Sequence, residues 1–326
     1  MDKFRINNTD LEISAIGLGT VSMGSTVDRE TSFALMDRYR DAGGNLIDTA
    51  HIYGAGNSSE VSKSEETIGS WLKARGCRSE IVLCTKGGHP NFDPETHLLG
   101  RARLHEDELE SDLTMSLGSL QTDYVDIYLL HRDDPTLPVS RILDWLEAQR
   151  KAGRIRCYGC SNWTLERIRE AEVYAAENGF EGFVVNQIAG GLAKLNDQAL
   201  KFMDMLCLDP TFMQYHRESQ MAVMSYMSMS NGYFQKRLSG AELSQNSAFM
   251  YSDPLNEALL EKLRAMQAQG LSVNSITYRY IMNYKFPTTA LMGFSRISQL
   301  EEMIRDMETR VPQEALDELY RIRWEN

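Results

Sequence analysis

The octapeptide Tyr124-Val125-Asp126-Ile127-Tyr128-Leu129-Leu130-His131 is a mostly apolar run with a single carboxylate inside it and a polar end. Such a run suits a strand buried on both faces, the kind from which parallel sheets are made. On its N-terminal side Leu109, Leu113 and Leu117 recur at i, i+4 and i+8. On its C-terminal side Val139, Ile142, Leu143 and Leu146 repeat at i, i+3, i+4 and i+7. Each set draws one apolar stripe along a helix. Helix, strand and helix in succession are the sequence sign of βαβ units.

Seven further runs continue the alternation: Ala15 to Thr20, Asn45 to Ala50, Ile81 to Lys86, Cys157 to Asn162, Phe183 to Ile188, Met221 to Tyr226 and Thr288 to Gly293. Between them, Ile68, Trp71 and Leu72 follow a Ser64-Glu65-Glu66 helix start, and Leu300, Met303, Ile304 and Met307 form another stripe. Gly43 and Gly44 end a helix over Glu30 to Ala42. Eight strands with one-stripe helices predict an α/β fold, a (β/α)8 TIM barrel spanning residues 1–326 as one domain. An N-terminal β-hairpin precedes it, Phe4 to Ile6 and Leu11 to Ile13 around Asn7-Asn8-Thr9-Asp10. The rival, a doubly wound sheet, requires G-x-G-x-x-G after its first strand; Gly17-Leu18-Gly19 lacks the third glycine, Gly24 coming too late. Gly87 to His105, Leu192 to Thr211 and Asn231 to Ser252 read as long loops after strands, on the C-terminal face where barrels build function.

Composition narrows the partners. With 34 Lys+Arg against 46 Asp+Glu the net charge is −12, so nucleic acid and anionic membrane, which demand a basic face, are not expected partners. No apolar run of about 18 residues and no signal-peptide core is present, and the chain reads as cytoplasmic. Five cysteines form no disulfide framework, and Cys157 and Cys160 sit three apart in one strand, facing opposite ways, so no metal is expected. The 17 methionines read as adaptable packing.

Polar residues at the C-terminal strand ends carry the chemistry of a barrel. Asp48 stands near the end of the second strand, with Tyr53 in the following loop; Lys86 ends the third, His131 the fourth, Ser161 and Asn162 the fifth, Asn186 and Gln187 the sixth and Tyr226 the seventh. A lysine beside a tyrosine favours the phenolate, so Lys86 is expected to lower the Tyr53 hydroxyl from its reference of about 10 and make it a proton donor near neutrality. His131 then orients a carbonyl oxygen or helps relay the proton.

Ile47-Asp48-Thr49-Ala50 with Tyr53-Gly54, Lys86, Leu129-Leu130-His131, Gly159-Cys160-Ser161-Asn162 and Val185-Asn186-Gln187 resemble, in order and spacing, the aldo-keto reductase superfamily. The resemblance runs from Ile16-Gly17-Leu18-Gly19-Thr20 to the helix around Glu302. It implies an eight-stranded barrel that binds a nicotinamide cofactor without a Rossmann domain, and a catalytic tetrad of Asp48, Tyr53, Lys86 and His131, with Tyr53 the general acid. It further implies that Ser161, Asn162 and Gln187 hold the nicotinamide carboxamide and that Tyr226 stacks on the ring. Gly19, Thr20, Ser228, Asn231 and Gly293 join the cofactor set. Ser295 and Arg296, followed by Gln299 and Glu302, match the adenosine-phosphate segment, which favours NADPH (NADP+) because arginine suits a phosphate dianion. This chain departs from the family in having Met303 where Asn is common, and Met227-Ser228-Met229-Ser230-Asn231-Gly232 where Ser-Pro-Leu-Gly-Arg-Gly is common.

Substrate-facing residues come from the loops: His89, Phe92, Arg132, Asp133 and Trp163, a polar set with an aromatic wall that suits a hydroxylated or sugar-like carbonyl compound. The function expected is reduction of an aldehyde or ketone, a small-molecule substrate, by NADPH. Two other readings compete: a Schiff-base lyase using Lys86 as nucleophile, and an NADP(H)-binding regulatory barrel with little turnover. A glycosidase would need a second strand-end carboxylate beside Asp48.

Overall fold

The computed structural model describes residues 1–54, 62–91 and 99–325. Its strands are β1 (Lys3–Arg5), β2 (Glu12–Ser14), β3 (Ile16–Gly19), β4 (Leu46–Asp48), β5 (Val82–Gly87), β6 (Val125–Leu130), β7 (Ile155–Ser161), β8 (Val185–Ala189), β9 (Ala222–Tyr226) and β10 (Thr288–Met292). β1 and β2 form the antiparallel hairpin, with Phe4 opposite Ile13. The other eight are parallel and close into a barrel in the order β10-β3-β4-β5-β6-β7-β8-β9. All eight expected runs are strands, trimmed or shifted by one or two residues; Lys86 is the penultimate residue of β5 rather than its end. Two of the expected loops carry helices of their own, Asp197–Phe202 in the first, and Tyr233–Ser239 and Gln245–Met250 in the second. Those segments are too short to show a repeating stripe, so periodicity could not reveal them.

The chain divides into two compact units, residues 1–187 with 293–297, and residues 188–292 with 298–326. In the first, β6 is buried along its whole length and pairs with β5 and β7, Lys86 lying opposite Leu129 and Leu130 opposite Cys160. The charged residue inside β6, Asp126, is buried because its oxygens are occupied: it accepts from the Leu83 N–H at 2.9 Å and pairs with Arg78 and Arg156. The helix Lys63–Arg75 starts where the Ser62 hydroxyl accepts from the Glu65 N–H and stops at Gly76, whose φ of 60° is left-handed. Ile68, Trp71 and Leu72 are buried, as the stripe requires. In the helix Glu106–Leu120 the buried stripe is Leu109, Asp112, Leu113, Ser116 and Leu120, so two polar residues stand inside it while Leu117 is half-buried.

In the second unit β9 and β10 run side by side, with Met224 opposite Thr289. The helix Gln313–Trp324 is fastened by the Trp324 indole N–H, which donates to the Tyr280 hydroxyl at 2.8 Å. Among the described residues no helix is long and apolar enough to cross a membrane.

Candidate active site

Parallel strands deliver their last residues to one end of a barrel, and the four candidate catalytic groups arrive from neighbouring elements. Asp48 closes β4, Lys86 lies near the end of β5, His131 follows β6 directly, and Tyr53 sits on the turn after β4. They meet. The Lys86 ammonium, fully buried, donates to Asp48 Oδ2 at 2.9 Å, to the Thr49 carbonyl at 2.6 Å and to the Tyr53 hydroxyl at 3.2 Å, and lies 4.7 Å from the Tyr53 ring centroid. The second oxygen of Asp48 accepts from Gln187 Nε2 at 2.8 Å. The Tyr53 and His131 rings meet edge to face at 5.9 Å.

The protonation states follow from these contacts. Burial alone pulls a lysine down, but Asp48 and the other groups around Lys86 more than offset it, and its pKa lies above the ordinary lysine range. For Tyr53 the sequence expectation is overturned. Burial raises its pKa, Lys86 pulls it back, Asp48 raises it again, and the net direction is upward. Lys86 does favour the phenolate, but its pull is partly cancelled by Asp48 and does not offset the cost of burial. Tyr53 is therefore a protonated donor across the neutral range. His131 is held well below the usual histidine range by burial, then by the charges of its neighbours, and is a neutral imidazole; its Nδ1 is buried with no hydrogen-bond partner among the described residues.

The other candidates divide into three groups. Ser161 ends β7 and Asn162 follows it directly, at φ 59° and with its side-chain amide donating to the Ser161 hydroxyl at 2.9 Å. Gly19 and Gly293 are neighbours, a Cβ on Gly293 falling 3.5 Å from the Gly19 carbonyl. Ser295 and Arg296 are exposed and immediately precede the helix Ile297–Asp306, on which Gln299 is half-buried and Glu302 exposed. A second group is engaged inside the protein. Thr20 is fully buried and braces β4 through two bonds to the Asp48 carbonyl; Trp163 is fully buried, its indole donating to the Arg132 carbonyl; and Asp133 is paired with Arg167 at 3.0 Å. His89 and Arg132 are both buried beside His131, the His89 ring 4.6 Å from it. Phe92 lies outside the described residues. In the second unit Tyr226 ends β9 half-buried, the Ser228 hydroxyl donates to the Leu291 carbonyl at 2.5 Å, and exposed Asn231 is left-handed, as are Met227, Ser230 and Gly232.

Sequence reading missed the polar residues behind β5. Glu65 is wholly buried and accepts from the Thr85 hydroxyl at 2.5 Å, while its Oε2 has no partner among the described residues. Burial lifts its carboxyl to about 7, the Thr85 bond opposing. Because the folded pKa exceeds the unfolded value, the protein loses stability as pH rises from about 4.5 to about 7 and carries the full penalty above. Glu65→Gln is expected to stabilise the protein at pH 8 by on the order of 3 kcal/mol, with no gain near pH 4.5. Urea unfolding at the two pH values measures this; equal gains at both would refute it.

The sequence profile of the Aldo/keto reductase family matches residues 15–323. The chain belongs to the aldo/keto reductase family. Among similar proteins, an uncharacterized oxidoreductase of Bacillus subtilis, YrpG, is 32% identical over 57% of each chain. The aldo-keto reductase ausK of Emericella nidulans is 28% identical over 95% of this chain and 78% of that protein. The norsolorinic acid reductase of Aspergillus flavus is 26% identical over 96% and 78%. As an aldo/keto reductase, the chain is an NAD(P)H-dependent oxidoreductase acting on carbonyl groups.

Proposed function

We propose that this aldo/keto reductase reduces an aldehyde or ketone with NADPH, Tyr53 delivering the proton. The observation that carries the reading is the bond from Lys86 to the Tyr53 hydroxyl, with Lys86 itself ion-paired to Asp48. Tyr53 holds its proton until negative charge develops on the carbonyl oxygen; the buried Lys86 cation beside it then stabilises the phenolate that remains. His131, neutral and edge-on to Tyr53, orients that oxygen by a hydrogen bond from an N–H. The Schiff-base alternative is disfavoured, because an ammonium whose pKa is pushed up has no free lone pair.

The residues fit a nicotinamide cofactor, which supplies the hydride when bound. A non-glycine residue with positive φ costs energy and persists where surrounding structure enforces it, commonly at ligand clamps. Asn162 is one such residue, and Met227, Ser230 and Asn231 are three more in the segment after β9, whose backbone amides would hold the pyrophosphate. Ser161, Asn162 and Gln187 would hold the carboxamide: with Gln187 Nε2 committed to Asp48, its Oε1 is the remaining acceptor. Tyr226 would cover the ring. Ser295 and Arg296, at a helix N-terminus, would take the 2′-phosphate.

Arg296→Ala is expected to weaken NADPH binding roughly ten- to a hundredfold, the worth of a charge-assisted phosphate contact, and to leave NADH unchanged. Fluorescence titration with both nucleotides tests this, and an unaltered preference would remove Arg296 from the site. For the substrate, the hydroxylated or sugar-like class rests on His89 and Arg132, since Asp133 and Trp163 are engaged internally. Stopped-flow oxidation of bound NADPH across a carbonyl panel is the direct test; nucleotide binding without oxidation by any carbonyl would leave a regulatory barrel instead.

A further inference from the structure

The polar break in the buried stripe of the helix Glu106–Leu120 is Asp112, a carboxylate 1% exposed and away from the tetrad. Its Oδ2 accepts from the Gly88 N–H at 2.8 Å, and its two oxygens take a forked bond from Arg103 at 2.7 and 3.1 Å. The Arg103 N–H in turn donates to the Gly88 carbonyl at 3.2 Å, so the Gly88 backbone is held at both its N–H and its carbonyl. The preceding carbonyl, Gly87, accepts from the backbone N–H of His131 at 2.9 Å. This turn has no room to relax. A Cβ at Gly87 would collide with the Tyr128 hydroxyl, and one at Gly88, whose φ is +75°, with the Leu104 side chain.

The residue that leaves the turn is His89. Its Nδ1 lies 2.7 Å from the Pro90 carbonyl, which can only accept, so that nitrogen carries the proton and the ring orientation is set. The ring then meets His131 at 4.6 Å and 72°. A one-residue turn between a buried anchor and an imidazole in the candidate site transmits any shift of the anchor to the site, where a displacement of about 1 Å can cost a hundredfold in rate.

We propose that Asp112 is a positioning residue of the active site: through the clamped Gly87–Gly88 turn it fixes the seat of His89 against His131. The inference rests on the reading that the carbonyl is held beside His131, so its test has one arm that needs no turnover.

In that arm, the imidazole NMR signals of His89 and His131 are compared without any carbonyl present. They are expected to move in Asp112→Ala and to return most of the way in Asp112→Asn, which keeps an oxygen for the Gly88 N–H. Unmoved signals in Asp112→Ala overturn the proposal whatever the activity. The second arm is a double-mutant cycle on kcat/KM, per nucleotide-binding site. Asp112→Ala and His89→Ala are each expected to lose about tenfold, and the double variant about tenfold again relative to wild type, because both remove one interaction. A hundredfold loss, the product of the two, would make Asp112 a support of the fold alone. Asp112→Ala strands the Arg103 guanidinium; if that variant does not fold, Arg103→Met with Asp112→Ala, which leaves no unpaired charge, replaces it in both arms. Moving signals in a protein that reduces no carbonyl would sink the reductase reading and leave the positioning role standing.

Discussion

Tyr53→Phe is expected to lower kcat by a factor on the order of 10²–10⁴, the usual worth of a positioned general acid, while NADPH binding stays within about twofold. The variant keeps the ring that lies 4.7 Å from the Lys86 ammonium and removes only the hydroxyl to which Lys86 donates. The fold should not suffer, since Lys86 keeps Asp48 and the Thr49 carbonyl as acceptors. Single-turnover measurements with bound NADPH isolate the chemical step. The raised pKa of Tyr53 adds a pH signature: wild-type carbonyl reduction should hold level through neutrality and fall only at alkaline pH, where the hydroxyl loses its proton. A variant within threefold of wild type would take proton transfer away from Tyr53.

Lys86→Met has the second large effect, and it falls on stability as well as rate. With the ammonium gone, Asp48 is a buried carboxylate left with Gln187 as a side-chain donor, and breaking a buried pair from one side typically costs about 3–5 kcal/mol. The pH behaviour follows from the raised lysine pKa. The stabilisation is complete below the unfolded value of about 10.4 and is lost only as pH climbs through the higher folded one. Urea unfolding of wild type and Lys86→Met should therefore differ by a constant amount from pH 6 to 9. Adding Asp48→Asn removes the stranded charge and should recover most of the stability without recovering kcat. If the double variant is no more stable than Lys86→Met, the ion pair is not what the lysine contributes to the fold.

The candidate site was partly legible because strand ends are legible. Lys86, His131 and Ser161 follow apolar runs whose length announces buried strands, and polar residues there must face a cavity or one another. Trp163 shows the limit of that reading. A tryptophan one residue past Asn162 reads equally well as a pocket wall or as packing, and only its full burial and its bond to the Arg132 carbonyl decide for packing. Asp112 and Glu65 were passed over for the opposite reason: a lone carboxylate beside an apolar stripe, or in a helix start as Glu65 is, reads as solvated, and only the packing shows that both are buried.

What the sequence by itself determined is the grammar of the barrel and the order in which its functional residues arrive, because hydrophobic period and turn chemistry are local. What only the tertiary structure decided is which charges neutralise which. Asp48 takes Lys86 from β5 on one oxygen and Gln187 from β8 on the other, and burial, which Lys86 offsets only in part beside its Asp48 partner, keeps Tyr53 a protonated acid where the sequence led one to expect an easy phenolate. Electrostatic effects of this kind depend on distance and burial between residues up to 139 positions apart, which no local pattern encodes.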